Sequence, residues 1–165
     1  MPFKTIFITV SKSIISERRF FMNSSDSYNL LRECSAGLKT AVASIDDVLP
    51  YVKEKEMKQI LQESKRDHKI LEKTVDAELE KMGADSKEPN IFAKGMSKVK
   101  INTELTFNPT KAQAASLITD GCDMGVKSIN KYLNQYPAAS DSIKHLANQL
   151  CRLEESLEDQ LRNYL

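Results

Sequence analysis

Four long apolar stripes, each stepping by alternating three and four residues, constrain the fold of this chain more than any other feature. The first joins Leu31, Cys34, Leu38, Ala41, Ile45, Val48 and Val52. The second joins Met57, Leu61, Ser64, His68, Leu71, Val75, Leu79 and Met82. The third runs Ala115, Ile118, Cys122, Gly125, Ile129, Tyr132 and Tyr136, and the fourth Ile143, Leu146, Leu150, Leu153, Leu157, Leu161 and Tyr164. This spacing gathers apolar groups on one face of a helix, and such a face must be buried against another element. With only 5 Gly, 5 Pro and no Trp, the composition argues against a fold rich in strands and turns.

The breaks between stripes fall where backbone chemistry predicts them. Pro50 has no N–H and clashes with the preceding turn, so the first helix ends or kinks near Leu49. Gly83 follows Lys81 at the position where left-handed glycines end helices. Asn108 and Pro109 suit the cap and first residue of the third helix. Pro137 stops that helix, and Ser140 caps the fourth. Ser24, Ser25 and Asp26 offer side-chain oxygens that suit the start of the first helix. The connections near Pro50 and Pro137 are short, so each pair of helices packs antiparallel. Residues 84–108 form the one long connection; Pro89 suits the first turn of a helix there, and Phe92, Met96, Val99 and Thr103 give it one weak face. Residues 1–23 read as an extension outside the bundle, with Met22 as an alternative start, and residues 24–165 as one four-helix domain.

Several function classes drop out on composition. Lys and Arg number 24 against 23 acids, a net charge of +1, which gives no electrostatic footprint for nucleic acid. The lysines around residues 87–111 read as a solvated face. No apolar run reaches the ~18–20 residues of a membrane span, and residues 3–10 lack the unbroken core of a secretory signal. Cys34, Cys122 and Cys151 are scattered, without a Cys-x-x-Cys pair, and each sits on an apolar seam as a small hydrophobe. That pattern fits a reducing, cytoplasmic compartment. No nucleophile elbow, phosphate-binding glycine loop or His-Glu-x-x-His occurs. Adjacent acids such as Glu154 and Glu155 point to different sides of a helix, so they make poor acid–base pairs.

His68 is the one residue on a seam that carries chemistry. A phosphoacceptor imidazole needs exposure, whereas this seam places His68 inward. As a core histidine it needs partners, and Ser64, Tyr132 and Tyr136 are the candidates.

Two hairpins joined by a long crossover, with a histidine on the inner face of the second helix, resemble the ferritin-like superfamily, and most of all its bacterial families of uncharacterised function. The likeness covers residues 26–165. It implies a four-helix bundle in which each hairpin supplies a carboxylate from its first helix and a Glu-x-x-His from its second to a di-iron centre. Here the pattern ending at His68 begins with Lys65, and Glu154 is followed three residues later by Leu157. Glu33, Asp120 and Asp123 lie off their seams. The motif is therefore degenerate. The expectation is an all-α, ferritin-like four-helix bundle with no catalytic residue, no cofactor and no resident metal, His68 and Glu154 being the positions to inspect for one. A structural or protein-interaction role follows, as a homo-oligomer or with a protein partner; the alternative is metal handling through non-standard ligands. His145 belongs to the boundary or surface.

Overall fold

The computed structural model describes residues 3–83 and 110–165, with side chains from Ser25 onward. Four helices make up these residues: α1 (Phe3–Val48), α2 (Lys55–Lys81), α3 (Lys111–Gln135) and α4 (Asp141–Leu161). The expected segment at 89–103, the lysines at 87–100, and the partly helical crossover lie outside the described residues.

Most of the punctuation behaves as its chemistry dictates. Pro50 sits in a short 3-10 turn, Leu49–Tyr51, that ends α1. Gly83 takes φ +73°, the left-handed conformation that glycine adopts at no steric cost. Ser140 occupies the N-cap of α4 as expected.

Two helix starts differ from expectation. The first helix does not begin at Ser24–Asp26; α1 is continuous from Phe3, so the backbone of residues 3–23 forms its first turns. Asp26 and Ser27 serve the far hairpin instead. The Ala138 N–H donates to Asp26 Oδ2 at 2.9 Å, and the Ser140 N–H donates to Ser27 Oγ at 2.9 Å. The third helix starts at Lys111, with Thr110 rather than Asn108 as its cap. A reciprocal capping box explains the choice: the Gln113 N–H donates to Thr110 Oγ1, while the Thr110 N–H donates to Gln113 Oε1.

The packing order follows from which residues share a cluster. At one end, Leu30 and Leu31 of α1 meet Val75 of α2, Ile129 of α3 and Ile143 of α4. At the other, Ile45 and Val48 meet Met57 and Leu61, Ala115 and Ile118, Leu157 and Leu161. Hence α1 and α4 run one way, and α2 and α3 run the other. Helix α2 ends and α3 begins at opposite ends of the bundle. Helix α1 packs on both α2 and α3, and α4 does the same.

Each fully buried Leu or Ile contributes roughly 1.5–3 kcal/mol of transfer free energy. Between the two clusters the apolar filling stops. His68, Glu154 and Gly125 occupy that level, each lying between residues that belong to opposite clusters. The inward stripe of α4 is also rotated from the all-leucine seam. It reads Ile143, Ala147, Leu150, Glu154, Leu157, Leu161, with Leu146 and Leu153 only partly buried. That rotation brings Glu154 into the interior.

Candidate ligand-binding cavity and buried acid–imidazole pair

His68 is fully buried at the middle of α2, 0% exposed. Its Nδ1 lies 2.8 Å from the Ser64 carbonyl oxygen and 3.3 Å from Ser64 Oγ. A carbonyl only accepts, so Nδ1 carries a hydrogen and donates to it. Its Nε2 faces Glu154 Oε1 across 3.5 Å and has no hydrogen-bond partner. With Nδ1 committed, one further proton serves the two groups. On Nε2 it makes the two groups an ion pair. Burial pulls the imidazole pKa down, but the Glu154 carboxylate, then the Ser64 carbonyl and Asp67, outweigh it and hold it above its ordinary value.

Of the expected partners, Ser64 is correct and the two tyrosines are not. Tyr132 instead lies beside Glu33, and it stacks on Tyr136 with ring centroids 6.3 Å apart. Lys65 is not in the interior either. Its ammonium pairs with Asp46 on the outer side of the α1–α2 hairpin. Glu154, marked with His68 as a position to inspect, is only 5% exposed and is the one acid in the interior layer among the described residues. Asp120, Asp123, Glu155 and His145 are exposed.

The residues of this layer do not fit a dimetal centre. Such a centre needs several carboxylates and imidazoles converging on two cations. One imidazole and one carboxylate converge here, and among the described residues no three His, Cys, Asp or Glu side chains cluster as ligands.

A raised imidazole pKa makes stability depend on pH in a defined direction. The stabilisation from protonated His68 is complete below the unfolded histidine pKa of ~6.5 and is lost as pH rises through the higher folded value. Urea midpoints measured from pH 6 upward should therefore fall with pH, and His68→Leu should remove that component of the slope.

Beside the pair, between α1 and α3, lies a cavity of about 280 Å³ open to solvent on one side. Small residues open it: Ala36 and Gly37 on α1, Gly121 and Gly125 on α3. Leu150 and Glu154 of α4 form part of its lining. The size is close to the lower end of the ~300–1,000 Å³ usual for small-molecule sites. Among the described residues its charged lining is acidic, namely Glu33, Asp120 and Glu154. Glu33 keeps its Oε2 buried without a hydrogen-bond partner. Burial pushes the Glu33 carboxyl up, against the Tyr132 hydroxyl and the charges of Arg32 and Lys131.

The two glycines of α3 have different tasks. A Cβ at Gly125 would stand 3.2 Å from Glu154 Oε1 and 3.3 Å from its Cδ, so this glycine makes room for the buried carboxylate. A Cβ at Gly121 meets nothing within 4 Å. Gly121→Ala should therefore stabilise the helix by up to ~1 kcal/mol, the usual Gly-to-Ala difference. Gly125→Val should instead cost about 1–3 kcal/mol through overpacking. Thermal or urea unfolding of the two variants reads the contrast.

No thiol offers a nucleophile. All three cysteines are free and buried. Burial, with Cys151 and Glu33 nearby, pushes the Cys34 pKa up to about 12. Burial and the Glu154 carboxylate hold Cys122 protonated as well, and burial raises Cys151. Comparison of the chain with family models, with curated proteins and with solved structures gives no match.

Proposed function

We propose that the protein is a ferritin-like bundle without dimetal chemistry, serving a non-catalytic structural or interaction role as a homo-oligomer or with a protein partner. The ferritin-like assignment is supported by the helix directions, up, down, down, up, with α2 ending and α3 beginning at opposite ends of the bundle. The observation that carries the non-catalytic reading is the content of the interior layer. An imidazole and a carboxylate stand where a dimetal site would need a full ligand set, and Lys65 is turned outward onto Asp46. Three buried, free cysteines agree with a reducing, cytoplasmic setting.

A second reading, a single metal ion held by His68 and Glu154, is favoured by one observation. His68 leaves Nε2 unpartnered toward a carboxylate while Nδ1–H is fixed on a backbone carbonyl, the way metal-bound histidines are commonly oriented. Metal analysis of the purified chain, with Fe(II) and Zn(II) titration, decides between the two. No stoichiometric metal is expected. Stoichiometric binding that disappears in His68→Ala would replace the first reading with the second. Light scattering coupled to size exclusion tests the oligomer, and a strict monomer with no captured partner would count against that part.

A further inference from the structure

We infer that the cavity between α1 and α3 is a binding site for a small organic cation, an amine carried on an apolar body. The inference goes beyond the absence of a dimetal centre and does not depend on it.

Three observations converge. The first is space. At ~30 Å³ per water in the liquid, a cavity of about 280 Å³ holds roughly nine waters, or an organic molecule of similar size. The second is surface: Ile45, Leu117, Ile118, Ile129, Leu150 and Leu157 line much of it, which suits a hydrocarbon body better than water. The third is charge. Among the described residues no Lys, Arg or His lines the cavity, while three acids do. Glu154 is 95% buried from solvent by the fold itself and reaches the cavity lining from α4. Glu33 adds a carboxylate to the lining from α1.

Charge complementarity selects the ligand among the molecules that fit. An anion would meet three carboxylates and, among the described residues, no cationic side chain, only the hydroxyls of Thr40, Ser44, Ser128 and Tyr132. An ammonium group supplies up to three N–H donors for the carboxylate and hydroxyl oxygens of the lining. His68 stands behind Glu154, on the side of α2, and does not line the cavity. It holds the carboxylate in place while leaving the cavity face of the site acidic.

The geometry also provides a clean way to close the site. Gly121 lines the cavity, is exposed at its lip, and has open space where its Cβ would stand. Gly121→Leu fills the cavity from the α3 side without meeting backbone.

The test uses the full chain and three probes of one shape: phenethylammonium, 2-phenylethanol and 3-phenylpropionate. Binding is followed by calorimetry and by methyl NMR of Met124, which lies on the lining. Phenethylammonium should bind with a dissociation constant in the millimolar range or below and shift the Met124 methyl signal. The alcohol should bind at least tenfold more weakly, and the carboxylate should not bind. Gly121→Leu should abolish binding with an unchanged or raised Tm, and Glu33→Gln should weaken it at least tenfold. The inference is overturned if phenethylammonium gives no saturable shift, if the three probes bind alike, or if Gly121→Leu binds as well as the native chain. It is also overturned if nuclear Overhauser contacts show residues 84–109 seated in the cavity and unmoved by the amine. A negative result would leave the metal and oligomer measurements unaffected.

Discussion

Replacing His68 with leucine should destabilise the fold by about 3–5 kcal/mol, the usual cost of stranding one member of a buried ion pair. The leucine fills a similar volume, so the loss is not one of packing. It arises because Glu154, 7% exposed at its side chain, keeps only the Cys122 thiol beside it. The carboxyl is then left in the interior without its charge partner. Glu154→Met should cost less, because a lone imidazole can shed its charge and keep its Nδ1–H on Ser64. Combining the two substitutions should recover most of the loss, since a buried pair exchanged for well-packed apolar groups is often neutral or stabilising. Urea unfolding of the single and double variants closes the cycle. If the penalties simply add, the two groups are not coupled and the pairing described above is wrong.

The second large effect belongs to Leu150. It is 1% exposed, it packs in the upper apolar cluster, and it lines the cavity. Leu150→Ala should cost about 2–5 kcal/mol, the range for buried leucine truncations, which grows with the residual void. Here the deleted volume joins an existing cavity instead of collapsing, which places the cost in the upper part of that range. Truncating a leucine away from the cavity, such as Leu31, gives the comparison. Equal losses at the two positions in urea unfolding would show that the cavity wall relaxes as freely as the rest of the core.

Much of this architecture could be read from the chain because the apolar seams of α1, α2 and α3 are continuous and their breaks are made by Pro50, Gly83 and Pro137. The inward position of His68 followed from the same spacing. Glu154 was legible as a position and not as an environment. On α4 two stripes compete, one through Leu146 and Leu153 and one through Ala147 and Glu154. Side-chain hydrophobicity alone favours the leucines. The signal that favours the other stripe lies on a different helix: Gly125 vacates the volume that the carboxylate fills. The cavity was still less visible, since it is made by what small residues of α1 and α3 omit, and the two helices meet only in the folded chain. The start of α1 was misplaced because Ser24, Ser25 and Asp26 are good caps in isolation. Tertiary partners at Ala138 and Ser140 claim the side-chain oxygens of Asp26 and Ser27 instead.

Those last contacts have a wider consequence when set beside the His68–Glu154 pair. Apolar side chains hold the two hairpins against each other, but hydrocarbon surfaces slide by a turn at little cost, and a leucine-rich stripe matches itself after every heptad. The polar ties that cross from hairpin to hairpin tolerate no such slip. Asp26 and Ser27 reach the α3–α4 connection, and His68 reaches Glu154. Moving one hairpin by a single 5.4 Å turn would part each of these groups from its partner and leave Ser27, His68 and Glu154 buried without one. They therefore act as a vernier: the hydrocarbon supplies the adhesion, and a few directional contacts select one alignment of the hairpins from those that adhesion alone would allow.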